Sequence, residues 1–317
     1  MRNLLFVILL CTVVSCQKKN SREAVVCVKV GHMTYPKIGL FLNGASVQSE
    51  LDARGCAEIR VEIPGYAYAH LRYGQDSKLL FLEEGEEVKV SFDGGKFREG
   101  ILFEGKNASA VDFLNAEAVR YPSGIDYSEE GLKALAVPVA EYKKTLNVKR
   151  NEALEMLDAH DLEAVNPLFD RLERERIKYL YAHAWFMYPM GYASVSGDTA
   201  FQPGEDYYQV LQEYMVENEE LVSVPEYRSF IREAAILFAR REGQKVNGYY
   251  ERLLCNVKYI GEHFTHEKVK QPLILIYATE YIDSFGNANT EELSGLCNRY
   301  LTDPEWKARY LACCAKE

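Results

Sequence analysis

The fold class follows from one short stretch, residues 57–63, which reads AEIRVEI. Apolar Ile59, Val61 and Ile63 alternate with charged residues, so one face of an extended strand is apolar and the other is polar. Such alternation is typical of an antiparallel sheet with one buried face and one face in water. The stretch therefore predicts a β-sheet that covers a hydrophobic core on one side only.

Similar strand-like segments lie on both sides of this stretch, separated by turn residues such as Asn43-Gly44 and Pro64-Gly65. These segments are residues 25–30, 38–42, 66–73, 78–82, 87–92 and 101–103. Six to eight short strands at this spacing predict a small antiparallel β-sandwich over residues 24–105.

The sequence pattern changes after Gly105. Apolar residues then recur at helical spacing, most clearly over 246–260, 272–283 and 290–301. Proline and glycine residues, Pro189 among them, predict breaks between seven to nine helices. Residues 106–317 are therefore predicted to form an irregular α-helical bundle, which makes the whole chain an α+β protein.

The first sixteen residues carry a targeting signal. A short basic head precedes an uncharged apolar run over residues 4–14, which is too short to cross the ~30 Å hydrocarbon core of a membrane. Residues 13–16, VVSC, resemble the lipobox of bacterial lipoproteins, in which the cysteine is lipidated and becomes the first mature residue. We predict a signal peptide over residues 1–15, lipidation of Cys16 and a tether over residues 16–23, with ordinary signal cleavage as the alternative.

The composition excludes several classes of function. With 47 acidic and 37 basic residues, the formal charge is −10, whereas nucleic-acid binding requires a basic face. No apolar run of ~18 residues follows the signal, so no other segment is predicted to span a membrane. Phosphate-binding glycine loops, nucleophile elbows and Ser/His/Asp arrangements are missing from the sequence. We therefore expect no cofactor and no nucleic-acid partner, and the balance favours a protein that is not an enzyme.

Six of the eight cysteines follow Cys16, and none belongs to a Cys-x-x-Cys motif. Disulfides can form in an oxidising envelope, and Cys27 and Cys56 both fall in predicted strands, so a bridge between them is one possibility. Cys313 and Cys314 are neighbours, and a bridge between neighbours would be strained. We interpret those two as small residues on a terminal helix.

His263 and His266 lie three residues apart in the sequence, a spacing at which two imidazoles could share a metal ion. Thr265 is predicted to cap a new helix, however, which would place the two histidines on different helices. The glutamate-rich residues 83–87 and 217–220 lack the alternating ligands of a calcium loop. The sequence therefore predicts no metal site.

Aromatic residues cluster over residues 179–192. Such side chains either line a groove for a sugar or an extended peptide, or pack a helical core. The candidates for a groove are Tyr181, Trp185, Tyr188 and Tyr192. Close by, residues 198–200 read DTA, which resembles the O-glycan acceptor pattern of Bacteroidota, with Thr199 as the acceptor.

A lipobox, a small β-domain and a helical region, in that order, resemble the N-terminal arm of Bacteroidota-type TlpA-like envelope lipoproteins. Residues 79–90, LLFLEEGEEVKV, look like the FLEPGE-x-V-x-V hairpin of that thioredoxin-like family, with Glu84 where proline is commoner. Residues 103–105 leading into 113–115 look like its strand-to-helix junction. Residues 259–264, followed by residues 277–285, are similar to the helical pairs that precede its thioredoxin domain.

In that family the arm leads into a thioredoxin domain with a Trp-Cys-x-x-Cys motif, which this chain lacks. The resemblance therefore implies a location and an ancillary role, and no catalytic residue. The leading hypothesis is a lipid-anchored, non-catalytic docking or accessory module for another envelope protein. The alternatives are a truncated thiol–disulfide oxidoreductase whose thioredoxin domain is missing from this chain, and a lipoprotein that binds a glycan or a peptide. The polar residues after Cys16 lack an acidic export run, which favours a periplasm-facing position on the outer membrane.

Overall fold

The structure is a computed structural model that describes residues 22–43, 45–120 and 129–315. The predicted signal peptide, Cys16 and all but the last two residues of the tether lie outside these ranges. The described chain is α+β, with strands in its first part and helices in its second, which confirms the predicted fold class.

Eight strands make up the first part, in agreement with the six to eight predicted. They are β1 (Glu23–Gly31), β2 (Lys37–Leu42), β3 (Ala45–Glu50), β4 (Cys56–Glu62), β5 (Tyr66–Tyr73), β6 (Asp76–Glu83), β7 (Glu87–Asp93) and β8 (Ile101–Glu104). The strand missing from the prediction is β3, which pairs with β2 alone among the described strands. Its sequence is polar around Val47, as an edge strand permits, and so it carries no apolar alternation.

The strands form two four-stranded sheets, with the orders β4-β1-β7-β8 and β3-β2-β5-β6. All described pairs are antiparallel except β1 and β7, which run parallel with Val28 beside Val90. The prediction of a purely antiparallel sandwich is therefore wrong at this pair. Between β1 and β7 the chain crosses to the second sheet for β2 and β3, returns for β4 and crosses again for β5 and β6. So long a connection allows a parallel neighbour.

The interior of the sandwich is almost entirely aliphatic. The three apolar residues of the stretch 57–63 are buried, and the three charged ones are exposed. Valine, leucine, isoleucine and alanine side chains from both sheets meet in one cluster, which also contains Phe103 and the contacting rings of Tyr73, Phe92 and Phe97. The two sheets thus pack face to face over a common core.

The second part contains eleven α-helices among the described residues. They are α1 (Ala108–Arg120), α2 (Glu129–Leu135), α3 (Val139–Ala159), α4 (Leu162–Val165), α5 (Pro167–Ser196), α6 (Glu205–Glu213), α7 (Pro225–Arg241), α8 (Tyr249–His263), α9 (Glu267–Phe285), α10 (Glu291–Tyr300) and α11 (Pro304–Cys314). The number exceeds the predicted seven to nine because α2 and α4 are too short to leave a periodic pattern.

Helix α5 continues through Pro189, where the sequence predicted a break. A proline inside a helix removes one hydrogen bond and costs about 3 kcal/mol. Trp185 and Tyr188, which precede Pro189 in α5, are buried in the helical core. Breaking the helix at Pro189 would therefore expose large aromatic side chains. Tertiary packing therefore outweighs the local preference of proline.

Helices cover the outer face of the second sheet and make it the middle layer of three. Tyr68 on β5 and Phe81 on β6 point away from the sandwich interior and belong to the helical core. The Phe81 ring meets the Phe169 ring of α5 edge-on, with centroids 5.0 Å apart. Strands β5 and β6 are thus buried on both faces, so the two parts of the molecule share a sheet.

Glutamates of the hairpin over residues 79–90 join this sheet to the helices. Glu83 accepts hydrogen bonds from Asn166 Nδ2 at 2.6 Å and from Lys106 Nζ at 2.6 Å. Glu86 accepts one from Asn107 Nδ2 at 2.8 Å. Burial of Glu83 would raise the pKa of its carboxyl, but the hydrogen bonds outweigh this effect and hold the pKa below its ordinary value. The residues that carry the family resemblance therefore have a structural role at this junction.

Tyrosine hydroxyls link the helices across the helical core. Tyr188 donates to the Val137 carbonyl at 2.7 Å, Tyr207 to that of Phe186 at 2.7 Å, and Tyr227 to that of Val216 at 2.8 Å. The same pattern recurs at Tyr142, Tyr179 and Tyr277. Each bond satisfies a buried hydroxyl that would otherwise be costly to bury.

Candidate functional site

The aromatic residues predicted to line a groove lie along α5. Trp185 and Tyr188 are buried, and Tyr142 from α3 stacks on both, with ring centroids 6.4 Å and 4.8 Å away. Tyr181 and Tyr192 are half-buried. Trp185 and Tyr188 thus serve as packing for the helical core, and only the two half-buried rings are accessible to a ligand.

Thr199 is exposed in the turn that follows α5. The turn is held by a hydrogen bond from the Thr199 amide to the Gly197 carbonyl at 3.1 Å, and by one from Ala200 to the Asp198 carboxylate at 3.2 Å. The hydroxyl-bearing side chain is therefore accessible, and its glycosylation stays a prediction.

The two histidines weighed as metal ligands lie on either side of a helix break. His263 ends α8, and His266 is the N-cap of α9, one residue later than the predicted cap at Thr265. Their flanking backbone is held by Glu217, whose carboxylate accepts hydrogen bonds from the amides of Thr265 and His266. The Glu217 carboxylate thus accepts hydrogen bonds from backbone amides that have no helical acceptor at the start of α9. The Thr265 side chain is therefore not needed to cap this helix.

The cysteines of the sandwich are free thiols on the outer face of the first sheet. Cys27 lies opposite Glu58 and Cys56 lies opposite Lys29, so the two are diagonal neighbours and not a directly facing pair. Burial, followed by the negative charges of Glu87 and Glu58, raises the pKa of Cys27. A raised pKa reduces the thiolate fraction, and the thiolate is the reactive form.

A different region has the shape of a binding site. A pocket of about 540 Å³ opens between α7, α8 and α9, and we call it the aromatic pocket. Its residues are Arg232, Glu233, Ile236, Asn247, Gly248, Tyr249, Arg252, Leu253, Asn256, Tyr277, Glu280, Tyr281, Ser284 and Phe285. Pockets of this size with mixed aromatic and polar walls are typical of small-ligand sites.

One wall of the aromatic pocket consists of three rings that reach into solvent. Tyr249 is 79% exposed and Phe285 is 61% exposed. The Phe285 ring lies 4.9 Å from that of Tyr281 and 6.1 Å from that of Tyr249, tilted by 37° and 33°. Large exposed rings that cluster at a concave surface mark an interaction site more often than scattered ones do.

Two ion pairs form the polar part of the aromatic pocket. Arg252 Nη2 donates to Glu233 Oε2 at 2.6 Å, and Arg232 Nη2 donates to Glu280 Oε2. Burial lowers the pKa of Arg232, but the attraction of Glu280 outweighs it and leaves the pKa above its ordinary value. Arginine keeps its charge in proteins, and each of these two is paired with a glutamate, so the pocket offers donors and acceptors without net charge.

A further polar group in the aromatic pocket is the side-chain amide oxygen of Asn256. Asn256 on α8 is only 2% exposed and lines the pocket, yet its Oδ1 has no hydrogen-bond partner among the described residues. An unsatisfied buried acceptor costs about 1–3 kcal/mol. A ligand hydroxyl or amide that donates to Asn256 would remove this cost.

The sequence pattern does not predict this pocket, because it predicts that one of the exposed rings is buried. Tyr249 belongs to the apolar pattern over residues 246–260, which predicts burial, whereas the ring is exposed. The signal that could have identified it is the repetition of large aromatics on two neighbouring helices, since Tyr249 and Phe285 come from α8 and α9. Their meeting at one end of the helix pair depends on tertiary structure.

Comparisons of the chain with protein-family models, with curated proteins and with solved structures found no match. Within residues 22–43, 45–120 and 129–315, no helix is both long and apolar enough to cross a membrane. The same described residues contain no group of three or more histidine, cysteine, aspartate or glutamate side chains suited to a metal ion. The geometry of the aromatic pocket is therefore the main guide to function.

Proposed function

We propose that this chain is a lipid-anchored cell-envelope protein that works as a non-catalytic docking module, and that its aromatic pocket holds a neutral glycan segment. The lipobox ending in Cys16 supports the anchor, and the resemblance to the arm of thioredoxin-like lipoproteins supports the ancillary role. The single observation that carries the ligand class is the combination of solvent-exposed rings with a neutral polar floor in one pocket.

A sugar ring matches both parts of this pocket. Its C–H faces are apolar and can lie against Tyr249 and Phe285, while its hydroxyls can bond to the floor. Each arginine carries five N–H donors, and the ion pairs involve one nitrogen of each. Asn256 Oδ1 supplies an acceptor for a hydroxyl proton.

The charge balance argues for a neutral ligand. The carboxylates of Glu233 and Glu280 would repel a strongly anionic ligand, and Arg232 and Arg252 would repel a cationic one. A hydroxyl-rich ligand needs neither charge and can use donors and acceptors of both ion pairs. Catalysis is not required for such a role.

Calorimetric titration of the purified full chain in detergent tests the proposal. The probes are the neutral hexasaccharides of glucose, mannose and N-acetylglucosamine. We expect at least one of them to bind, and Tyr249→Ala and Phe285→Ala each to weaken binding roughly tenfold, because each removes apolar contact area worth about 1.5 kcal/mol.

Tyr35→Ala is the matched control, since Tyr35 is a partly exposed tyrosine of the sandwich, 46% accessible. It should leave the affinity unchanged. Failure of every probe to bind, or equal binding by the Tyr249→Ala/Phe285→Ala double variant, would overturn the proposed function.

A further inference from the structure

A second cavity, of about 380 Å³, lies where β5, β6, α1, α5 and α7 meet. It shares no lining residue with the aromatic pocket. Glu117 from α1, Arg176 from α5 and Glu226 from α7 line it, and His70 and Lys78 contribute from the second sheet. We call it the acidic cavity because its negative groups outnumber its buried positive one.

One buried guanidinium serves three carboxylates here. Arg176 Nη2 donates to Glu117 Oε2 at 2.7 Å and to Glu173 Oε1 at 2.6 Å, and Nη1 donates to Glu226 Oε1 at 2.8 Å. The Tyr68 hydroxyl donates to Glu173 as well, at 3.2 Å. Burial raises the pKa of Glu173 to about 7, so the negative charge at this cavity is carried chiefly by Glu117 and Glu226, beside the single buried guanidinium of Arg176.

Two of the carboxylate oxygens remain without a hydrogen-bond partner among the described residues. They are Glu117 Oε1 and Glu226 Oε2, and both atoms are buried. Glu117 is only 2% exposed and borders the cavity. An unpaired buried carboxylate oxygen is among the costliest groups a fold can hold, so a donor with positive charge is favoured there.

The chain's own neighbouring cations do not supply this donor. Lys78 Nζ donates to the Arg98 carbonyl at 3.1 Å. Burial lowers the pKa of His70, which keeps its imidazole neutral at pH 7. Arg228 of α7 attracts Glu226 but donates to the Val222 carbonyl at 2.9 Å, so none of these side chains bonds to the two unpaired carboxylate oxygens.

We propose that the acidic cavity binds a primary ammonium group, carried either by a small amine or by a lysine side chain. An ammonium has three N–H donors and a single charge, which matches two unpaired carboxylate oxygens beside Arg176. A divalent cation is a poorer match, because calcium and magnesium require six or more oxygen ligands. Arg176 would also repel a double charge more strongly than a single one.

Ammonium binding should depend on pH. Burial raises the pKa of Glu117 despite the attraction of Arg176, so this carboxylate is protonated more readily than an exposed one. Binding should therefore weaken as the pH falls toward the raised pKa of Glu117. The titratable and charged groups that face the site are Glu117, Glu173, Glu226, Arg176, Arg228, Tyr68, His70, His183 and Lys78.

Nuclear magnetic resonance titration of the full chain tests the inference, with n-butylammonium as the probe and 1-butanol as its neutral counterpart. A second arm uses the peptide Gly-Lys-Gly against Gly-norleucine-Gly. We expect the amine to bind and the alcohol not to bind, and the arm with the higher affinity identifies the source of the ammonium. Glu117→Gln should weaken binding roughly tenfold or more, because it removes a charge-assisted hydrogen bond.

Glu62→Gln, an exposed glutamate of the sandwich, is the matched control and should bind like the wild type. If Glu117→Gln lowers the melting temperature, the partly accessible Glu226→Gln replaces it, with the same expected loss. Equal shifts with amine and alcohol, no shift with any probe, or an affinity insensitive to both glutamine variants would overturn the inference.

Discussion

The two hydrophobic cores of this molecule are built on different principles, although they share a sheet. The sandwich core consists of aliphatic side chains that fit by shape and carry few polar atoms. The helical core is rich in tyrosine, phenylalanine and tryptophan, and it encloses both hydroxyl-to-carbonyl bonds and the Arg176 cluster. The difference teaches that the first core depends mainly on the burial of apolar side chains, whereas the second also depends on its buried polar bonds.

The largest contrast should come from the same substitution made in each part. Arg176→Met leaves the buried Glu117 and Glu173 and the partly accessible Glu226 without their common donor, and we expect it to lower the free energy of unfolding by about 3–5 kcal/mol. Arg60→Met in β4 removes an arginine that is 52% exposed and paired with Glu58 at 2.5 Å. Its cost should not exceed about 1 kcal/mol.

Urea unfolding followed by tryptophan fluorescence measures both values, since Trp185 is buried in the helical core. Similar losses for the two variants would show that the buried cluster contributes no more than a surface pair. Buried charged groups would then not distinguish the stability of the helical core from that of the sandwich.

A smaller effect should appear as a pH dependence. Burial raises the pKa of Glu173 to about 7, although Arg176 opposes the shift. The folded state therefore prefers the protonated carboxyl, and its stabilisation is complete below about pH 4.5 and is lost as the pH rises through about 7. Between pH 5 and pH 8 this group should cost roughly 1–3 kcal/mol.

His70 and His183 act in the opposite direction over part of this range, because burial lowers the pKa of each. The quantity to measure is therefore the difference in slope between the wild type and Glu173→Gln. The decline in the free energy of unfolding between pH 5 and pH 8 should be absent in Glu173→Gln and present in Glu62→Gln. Among the sandwich carboxyls, the lowered pKa values of Asp52, Asp93 and Glu83 affect stability only below about pH 5, so these groups should add little to the slope between pH 5 and pH 8.

The smallest effect concerns single hydroxyls. Tyr207→Phe removes the 2.7 Å bond to the Phe186 carbonyl and should cost about 0.5–1.5 kcal/mol. The adjacent Tyr208 packs against the Arg241 guanidinium, 3.9 Å from the ring centroid, and Tyr208→Phe keeps that contact. Its change should stay within about 0.5 kcal/mol in thermal unfolding. Equal costs at the two positions would mean that the hydroxyl bonds do not stabilise the helical core.

The same difference explains how far the sequence predicted the structure. Alternation over residues 57–63 identified a one-sided strand correctly, because an aliphatic sheet leaves a period-two pattern. The parallel pairing of β1 with β7 left no such trace, since parallel and antiparallel neighbours bury the same residues. The continuation of α5 through Pro189 also escaped prediction, because it depends on side chains distant in sequence.

The two candidate sites, the aromatic pocket and the acidic cavity, were less predictable from the sequence than the fold. The aromatic cluster over residues 179–192 was identified from composition, yet composition does not distinguish a packed ring such as Tyr188 from an exposed one such as Tyr249. Residues 171–178, RLERERIK, have the mixed charge that is typical of a solvated helix face, and the buried cluster around Arg176 forms only when α1 and α7 add Glu117 and Glu226. Both sites are made from three or more elements, and no local pattern encodes their meeting.

The central position of β1 has a mechanical consequence. This strand follows directly after the chain that leads to Cys16, and it is hydrogen-bonded to β4 on one side and to β7 on the other. A pulling force applied through the N-terminal chain would run along the strand and load both ladders in shear. The bonds of both ladders would then have to break together and not one after another, so the sandwich should resist tension at the end of the chain that we expect to be attached to the membrane.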